Sequence, residues 1–118
     1  MKRGEIWTSA NATDYGNKPR PVVVIQDYRF EDIDSVTTCP FTSDSLSASH
    51  FRIPIMPSDQ NGLDRPCRIM VDKITTVPRS KLRLHIGKLH DEDIVRLNRT
   101  ILVFLGIAGE SSEDEVIE

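Results

Sequence analysis

Lys18–Asp27 reads KPRPVVVIQD, a cationic, proline-locked approach to a run of β-branched residues. Valine and isoleucine favour extended backbone, whereas proline, with φ fixed and no N–H for a ladder, suits the first residue of a strand better than its interior. The stretch predicts a strand from Pro21 to Gln26, central in a sheet. Arg20 has two readings: a solvated flank, or a guanidinium held at a rigid strand mouth to meet an anion.

Short extended segments surround this one, separated by turn residues. Strands are expected at Gly4–Thr8, Ser35–Phe41 and His50–Ile55, with one long or bent strand over Cys67–Val77, ended by Pro78, and a short one at His85–Leu89. Ser9–Lys18 is polar and too long for a tight hairpin, so it is a candidate functional loop, as is Thr42–Ser49. Asn61-Gly62 signals a turn. From Asp91 the pattern becomes helical: Asp91, Glu92 and Asp93 suit a helix N-terminus, Ile94, Leu97, Ile101 and Leu105 recur on one face, and Gly106 is placed to stop it. The fold expected is mainly β with helices, a small, strongly bent antiparallel sheet or open barrel closed by a C-terminal helix.

The length of 118 residues suits one domain with a single core. Cys39 and Cys67 are too few for a disulfide scaffold and too far apart for a CxxC pair, so two buried thiols in a reducing cytosol are expected. Positive charge in MKRGEIW is not followed by an apolar run, and nothing approaches a membrane span, so a soluble, cytoplasmic protein with no membrane partner is expected.

The net charge of −3 conceals an uneven distribution. ESSEDEVIE, Glu110–Glu118, holds five acids and no base, which leaves residues 1–109 with 15 basic and 13 acidic side chains. Arg65–Lys88 holds seven bases and one acid, Asp72. Such a stretch is either a solvated face or the footprint of a polyanion partner. The domain is expected over 1–109, with 110–118 an acidic, disordered tail whose charge density leaves too little apolar surface to offset ordering entropy. The tail is a solubilising terminus or, on a sharper reading, a segment that folds over the basic region.

Several chemistries lack their motifs. No GxGxxG or Walker pattern cradles a phosphate, and no GxSxG fixes a nucleophile. His50, His85 and His90 lack the spacing of metal ligands, so neither a metal nor a cofactor is expected.

Taken in order, RGEIW (3–7), KPRPVVVIQ (18–26), CPFTS (39–43), QNGL (60–63), MVDKITTVPRSKL (70–82) and IGKL (86–89) resemble the MazF/PemK/Kid family of toxin endoribonucleases over Arg3–Leu105. The resemblance implies an SH3-like open barrel of the CcdB/PemK kind and a homodimer. It also implies metal-independent cutting of single-stranded RNA at a short sequence, and a cognate MazE-like antitoxin whose acidic C-terminal segment lies over the RNA groove. Arg20 matches the family's catalytic arginine, Thr42 its catalytic threonine, and Asp72 an aspartate that some members use as a proposed general base. Two departures stand out. Met70 occupies a position where those members carry an arginine, and the first loop offers Asp14, Tyr15 and Lys18 but no histidine.

On this reading the ribose 2′-OH attacks its own phosphate, Arg20 stabilises charge on the phosphorane, and Thr42 donates one hydrogen bond to a non-bridging oxygen. Asp72 is either a general base or one side of a salt bridge to Lys73, Arg68 or Arg79. RNA contacts are expected from Lys18, Ser43, Arg65, Arg68, Lys73, Arg79, Lys81 and Arg83, with Tyr15 and Phe41 as candidate stacking platforms. Phe41 and Trp7 also read as core. Two other classes share the fold: a gyrase-binding toxin of the CcdB kind, and a non-catalytic nucleic-acid-binding module. Arg20 and Thr42, each in its motif, favour the nuclease.

Overall fold

The computed structural model describes residues 1–10, 19–44 and 51–109. Tyr15, Lys18, His50, most of both candidate loops and the acidic tail lie outside them. Among the described residues the strands are β1 (Glu5–Ser9), β2 (Arg20–Val24), β3 (Ser35–Thr42), β4 (Arg52–Ile55), β5 (Cys67–Met70), β6 (Thr75–Pro78) and β7 (Leu82–Lys88), followed by helix α1 (Asp91–Phe104). They form one open antiparallel sheet in the order β4-β5-β3-β2-β1-β7, with β6 beside β3. The mainly β, open-sheet architecture with a C-terminal helix is the one the sequence predicts.

The expected strand over Cys67–Val77 is the bent version. Phe41 faces Ile69 and Thr38 faces Thr75, so three steps along β3 match six along its partner. The surplus is the 3₁₀ turn Val71–Lys73, which splits the segment into β5 and β6. Val71 buries completely inside the turn, and Asp72 is lifted out of the ladder. The last strand is longer than expected, since Leu82 at its start is buried and pairs with Ser9.

The sheet buries both faces, which is why β2 is a continuous apolar run. One face carries Ile6, Val23, Cys39, Phe41 and Ile69 against Leu97 of α1. The other carries Val22, Val24, Val36, Val77 and Leu82, with Met1 and Trp7 packed against them. Trp7 is thus partly core. It also stacks on His85 at 5.0 Å between ring centroids and donates from Nε1 to Glu5 Oε1 at 3.0 Å.

Helix α1 begins with three acids in its first turn, complementing the amide dipoles there, and turns Ile94, Leu97 and Ile101 to the core. It ends at a glycine with φ +76°, Gly106, whose N–H bonds the Val103 carbonyl. Arg3 ties β1 to this layer, donating to the Ile25 carbonyl and to Asn98 Oδ1.

The Asn61-Gly62 turn is locked from inside. Asn61 is fully buried, accepts on Oδ1 from the Ser58 and Leu63 amides, and donates from Nδ2 to the Met56 carbonyl. Gly62 adopts φ +71°, and a Cβ there would sit 1.9 Å from the Ile86 carbonyl oxygen. Backbone cannot yield as a side chain can, so Gly62→Ala is expected to cost about 2 kcal/mol, read as a lower denaturant midpoint with unchanged m.

Candidate active site

β2 and β3 bring the two principal candidates together by register. Val22 faces Pro40 and Val23 faces Cys39. Continuing that register two residues sets Arg20 opposite Thr42. Ser9 faces Arg20 on one side, Thr42 faces Arg68 on the other, and Arg68 faces Pro54. Residues opposite one another share a sheet face, so Arg20, Thr42 and Arg68 form one row across three strands. The row lies at the end of the sheet, beyond the valines of the second core.

A cavity of about 330 Å³ opens at this end. Arg20, Thr42, Ser43, Asp64 and Arg65 supply its polar lining. Phe41, Leu63 and Cys67 contribute apolar surface, and Pro19 and Pro21 flank Arg20. Phe41 is only 3 % exposed, so it belongs to the core and offers the cavity little more than an edge. Thr42 Oγ1 accepts from the Asp44 amide at 3.1 Å, which orients the hydroxyl and leaves its proton to donate. Burial pushes the Cys67 thiol up to about 11 and the Cys39 thiol up to about 12, so neither is a nucleophile.

Asp72 does not line this cavity. Its carboxylate is clamped by the Arg52 guanidinium, Nε to Oδ1 and Nη2 to Oδ2, both at 2.9 Å. The side chains are 19 % and 13 % exposed. Hydrogen bonds from Arg52 hold the Asp72 carboxyl below the usual carboxylate range despite partial desolvation. The salt-bridge partner is therefore Arg52, not Lys73, Arg68 or Arg79. Nothing local could reveal it, since the two are 20 residues apart and meet only through the β4–β5 pairing.

The remaining cations divide. Arg79 donates through Nε and Nη2 to the Ile33 carbonyl, at 3.2 and 3.0 Å, fastening the segment between β2 and β3. Lys73, Lys81 and Arg83 are exposed and lie outside the cavity lining, while Arg65 and Ser43 belong to it. Sequence reasoning missed Asp64, Leu63 and Cys67 as cavity residues. The available signal was the turn QNGL running directly into DRPC. Among the described residues, no group of three or more His, Cys, Asp or Glu side chains could hold a metal ion, and no helix is long and apolar enough to cross a membrane.

The same architecture occurs in solved toxin structures. An endoribonuclease in complex with its cognate antitoxin, from a mycobacterial species, superposes with a TM-score of 0.74 at 18 % identity, over 92 % of this chain and 97 % of that one. The Mycobacterium tuberculosis toxin MazF-mt6 gives 0.71 at 23 % identity, over 86 % and 96 %. In sequence, the probable endoribonuclease MazF of Mycolicibacterium smegmatis is 50 % identical over 109 residues, 92 % of this chain and 100 % of that protein. Residues 2–105 match the family described as PemK-like, MazF-like toxins of type II toxin-antitoxin systems, and the chain belongs to that family.

Proposed function

We propose that the protein is the toxin of a type II toxin-antitoxin pair and a metal-independent endoribonuclease for single-stranded RNA. The observation that carries this reading is the convergence of Arg20 and Thr42 on one cavity through the β2–β3 register. The 2′-oxygen attacks phosphorus, the bond from phosphorus to O5′ breaks, and the products are a 2′,3′-cyclic phosphate and a 5′-hydroxyl. Arg20 presents a planar fork of donors to the non-bridging oxygens, where negative charge grows. Thr42 adds one oriented donor and helps hold the in-line geometry. Arg68, beside Thr42 in the same row, suits the neighbouring phosphate.

Asp72 acts here as a positioning residue. A carboxylate held low by a bidentate arginine is a weak base, whereas proton abstraction favours a pKa near working pH. The clamp instead fixes the turn between β5 and β6 beside β3, the strand that carries Thr42.

The working unit is a homodimer in the cytoplasm, formed from the domain over 1–109. Its inhibitor is an antitoxin whose acidic segment competes with RNA for the Arg20, Arg65 and Arg68 side chains. Family membership and the antitoxin-bound mycobacterial fold relative support that pairing. Thr42→Ala tests the site: cleavage of a long single-stranded RNA is expected to fall about 100-fold, with Thr42→Ser retaining most of the rate. Equal rates for wild type and Thr42→Ala would remove Thr42 from the mechanism.

A further inference from the structure

Besides Arg20 and Thr42 the cavity is lined by two consecutive charged residues, Asp64 and Arg65, on a segment that the fold ties down at both ends. Before them, Leu63 is 8 % exposed and its amide is bonded to the buried Asn61 side chain. After them, Pro66 restricts Arg65 to extended backbone, and Cys67 enters β5 at 9 % exposure. Both charged side chains stay open to solvent, at 84 % for Asp64 and 68 % for Arg65. Exposed groups on a clamped backbone at a cavity mouth suit ligand recognition better than stability, because an exposed ion pair contributes little to folding.

The donor pattern narrows the ligand. Arg65 Nε donates to Asp64 Oδ1 at 3.4 Å. That contact leaves Oδ2 as an acceptor beside the two Nη groups as donors. One acceptor followed by two donors is the complement of the Watson–Crick edge of cytosine, whose N4 amine donates while N3 and O2 accept. Uracil reverses the first two of these, with O4 accepting and N3–H donating, and adenine offers only one acceptor on that edge. Guanine would need both Asp64 oxygens for N1–H and N2–H. The volume of about 330 Å³ lies at the low end for ligand pockets and suits a single nucleotide, with Pro19 and Pro21 adding apolar lining.

We propose that Asp64 and Arg65 read a cytosine next to the scissile phosphate, Asp64 accepting from N4 and Arg65 donating to N3 and O2. This rests on the endoribonuclease reading for the position of the phosphate, but the base preference is measurable without cleavage. Short deoxyoligocytidylate, deoxyoligothymidylate and deoxyoligoadenylate, which lack the 2′-OH, would be titrated against the full chain at fixed salt, because phosphate contacts are salt-dependent.

Wild type is expected to bind the cytosine oligomer about 10-fold to 100-fold more tightly than the others, with Asp64→Ala and Arg65→Ala each erasing most of that difference. Replacing one cytosine by the analogue lacking the 4-amino group should weaken wild type and leave Asp64→Ala unaffected, a coupling that a merely structural residue would not produce. Equal wild-type affinities for the three oligomers, or a cytosine preference that survives both substitutions, would overturn the assignment. Failure of the nuclease reading has a different signature: long RNA left whole while the cytosine preference persists.

Discussion

Arg20→Ala is expected to lower the rate of RNA cleavage by about 1,000-fold while leaving the melting temperature close to that of wild type. The size follows from where charge develops. A phosphorane gains negative charge on oxygens that the ground-state phosphate already presents, so a donor aimed there stabilises the transition state more than the bound substrate. Arg20 is half-buried at the start of β2, with proline on each side and a row of paired residues behind it, so little reorganisation is needed when that charge appears. Arg20→Lys should recover only part of the loss, because an ammonium keeps the charge but lacks the planar fork. The informative comparison is kcat against KM. A fall mainly in kcat marks a transition-state contact, and a rise confined to KM would reduce Arg20 to a phosphate anchor.

Asp72→Ala is expected to act on folding instead. Removing the carboxylate leaves Arg52 only 13 % exposed with its charge uncompensated, at a cost of about 2 to 3 kcal/mol by denaturant unfolding. Cleavage by the folded fraction should change by less than about 10-fold, below the loss expected for a general base. The pH dependence carries the same signature. The Asp72 carboxyl is held lower in the folded chain, by its hydrogen bonds from Arg52, than in the unfolded one. Its stabilisation is therefore fully present above the unfolded value and is lost as pH falls through the lowered folded value. Asp72→Asn should flatten the acid limb of the stability profile and leave the neutral region level but lower. A pH–rate profile whose acid limb disappears in Asp72→Asn, without loss of stability, would return Asp72 to the chemistry.

The sequence made the fold legible where one local rule was enough. Pro21 and the valines after it marked a central strand, and the acids at 91–93 with Gly106 bracketed the helix. Arg20 and Thr42 were found by motif, while their proximity depends on pairing between strands about 20 residues apart, which no local pattern contains. The turn at Val71–Lys73 was hidden because Val71 continues the apolar strand pattern on both sides of it, and only the register against β3 forces three residues out. Arg79 illustrates the converse. A cation in a basic stretch reads as an RNA contact, yet its guanidinium is occupied by the Ile33 carbonyl, a partner 46 residues away. Asp64 escaped notice because an exposed acid beside an arginine carries no signal until the cavity is seen.

The most direct test of the mechanism is cleavage, in excess chelator, of a single-stranded RNA carrying one 2′-deoxy substitution at a mapped cut site, with the ends of the products identified. The substituted site is expected to stay whole while the unmodified RNA is cut there, leaving a 2′,3′-cyclic phosphate and a 5′-hydroxyl. Continued cutting at the deoxy site, or ends that bear a 5′-phosphate, would mean that water rather than the ribose is the nucleophile and would contradict the roles assigned to Arg20 and Thr42.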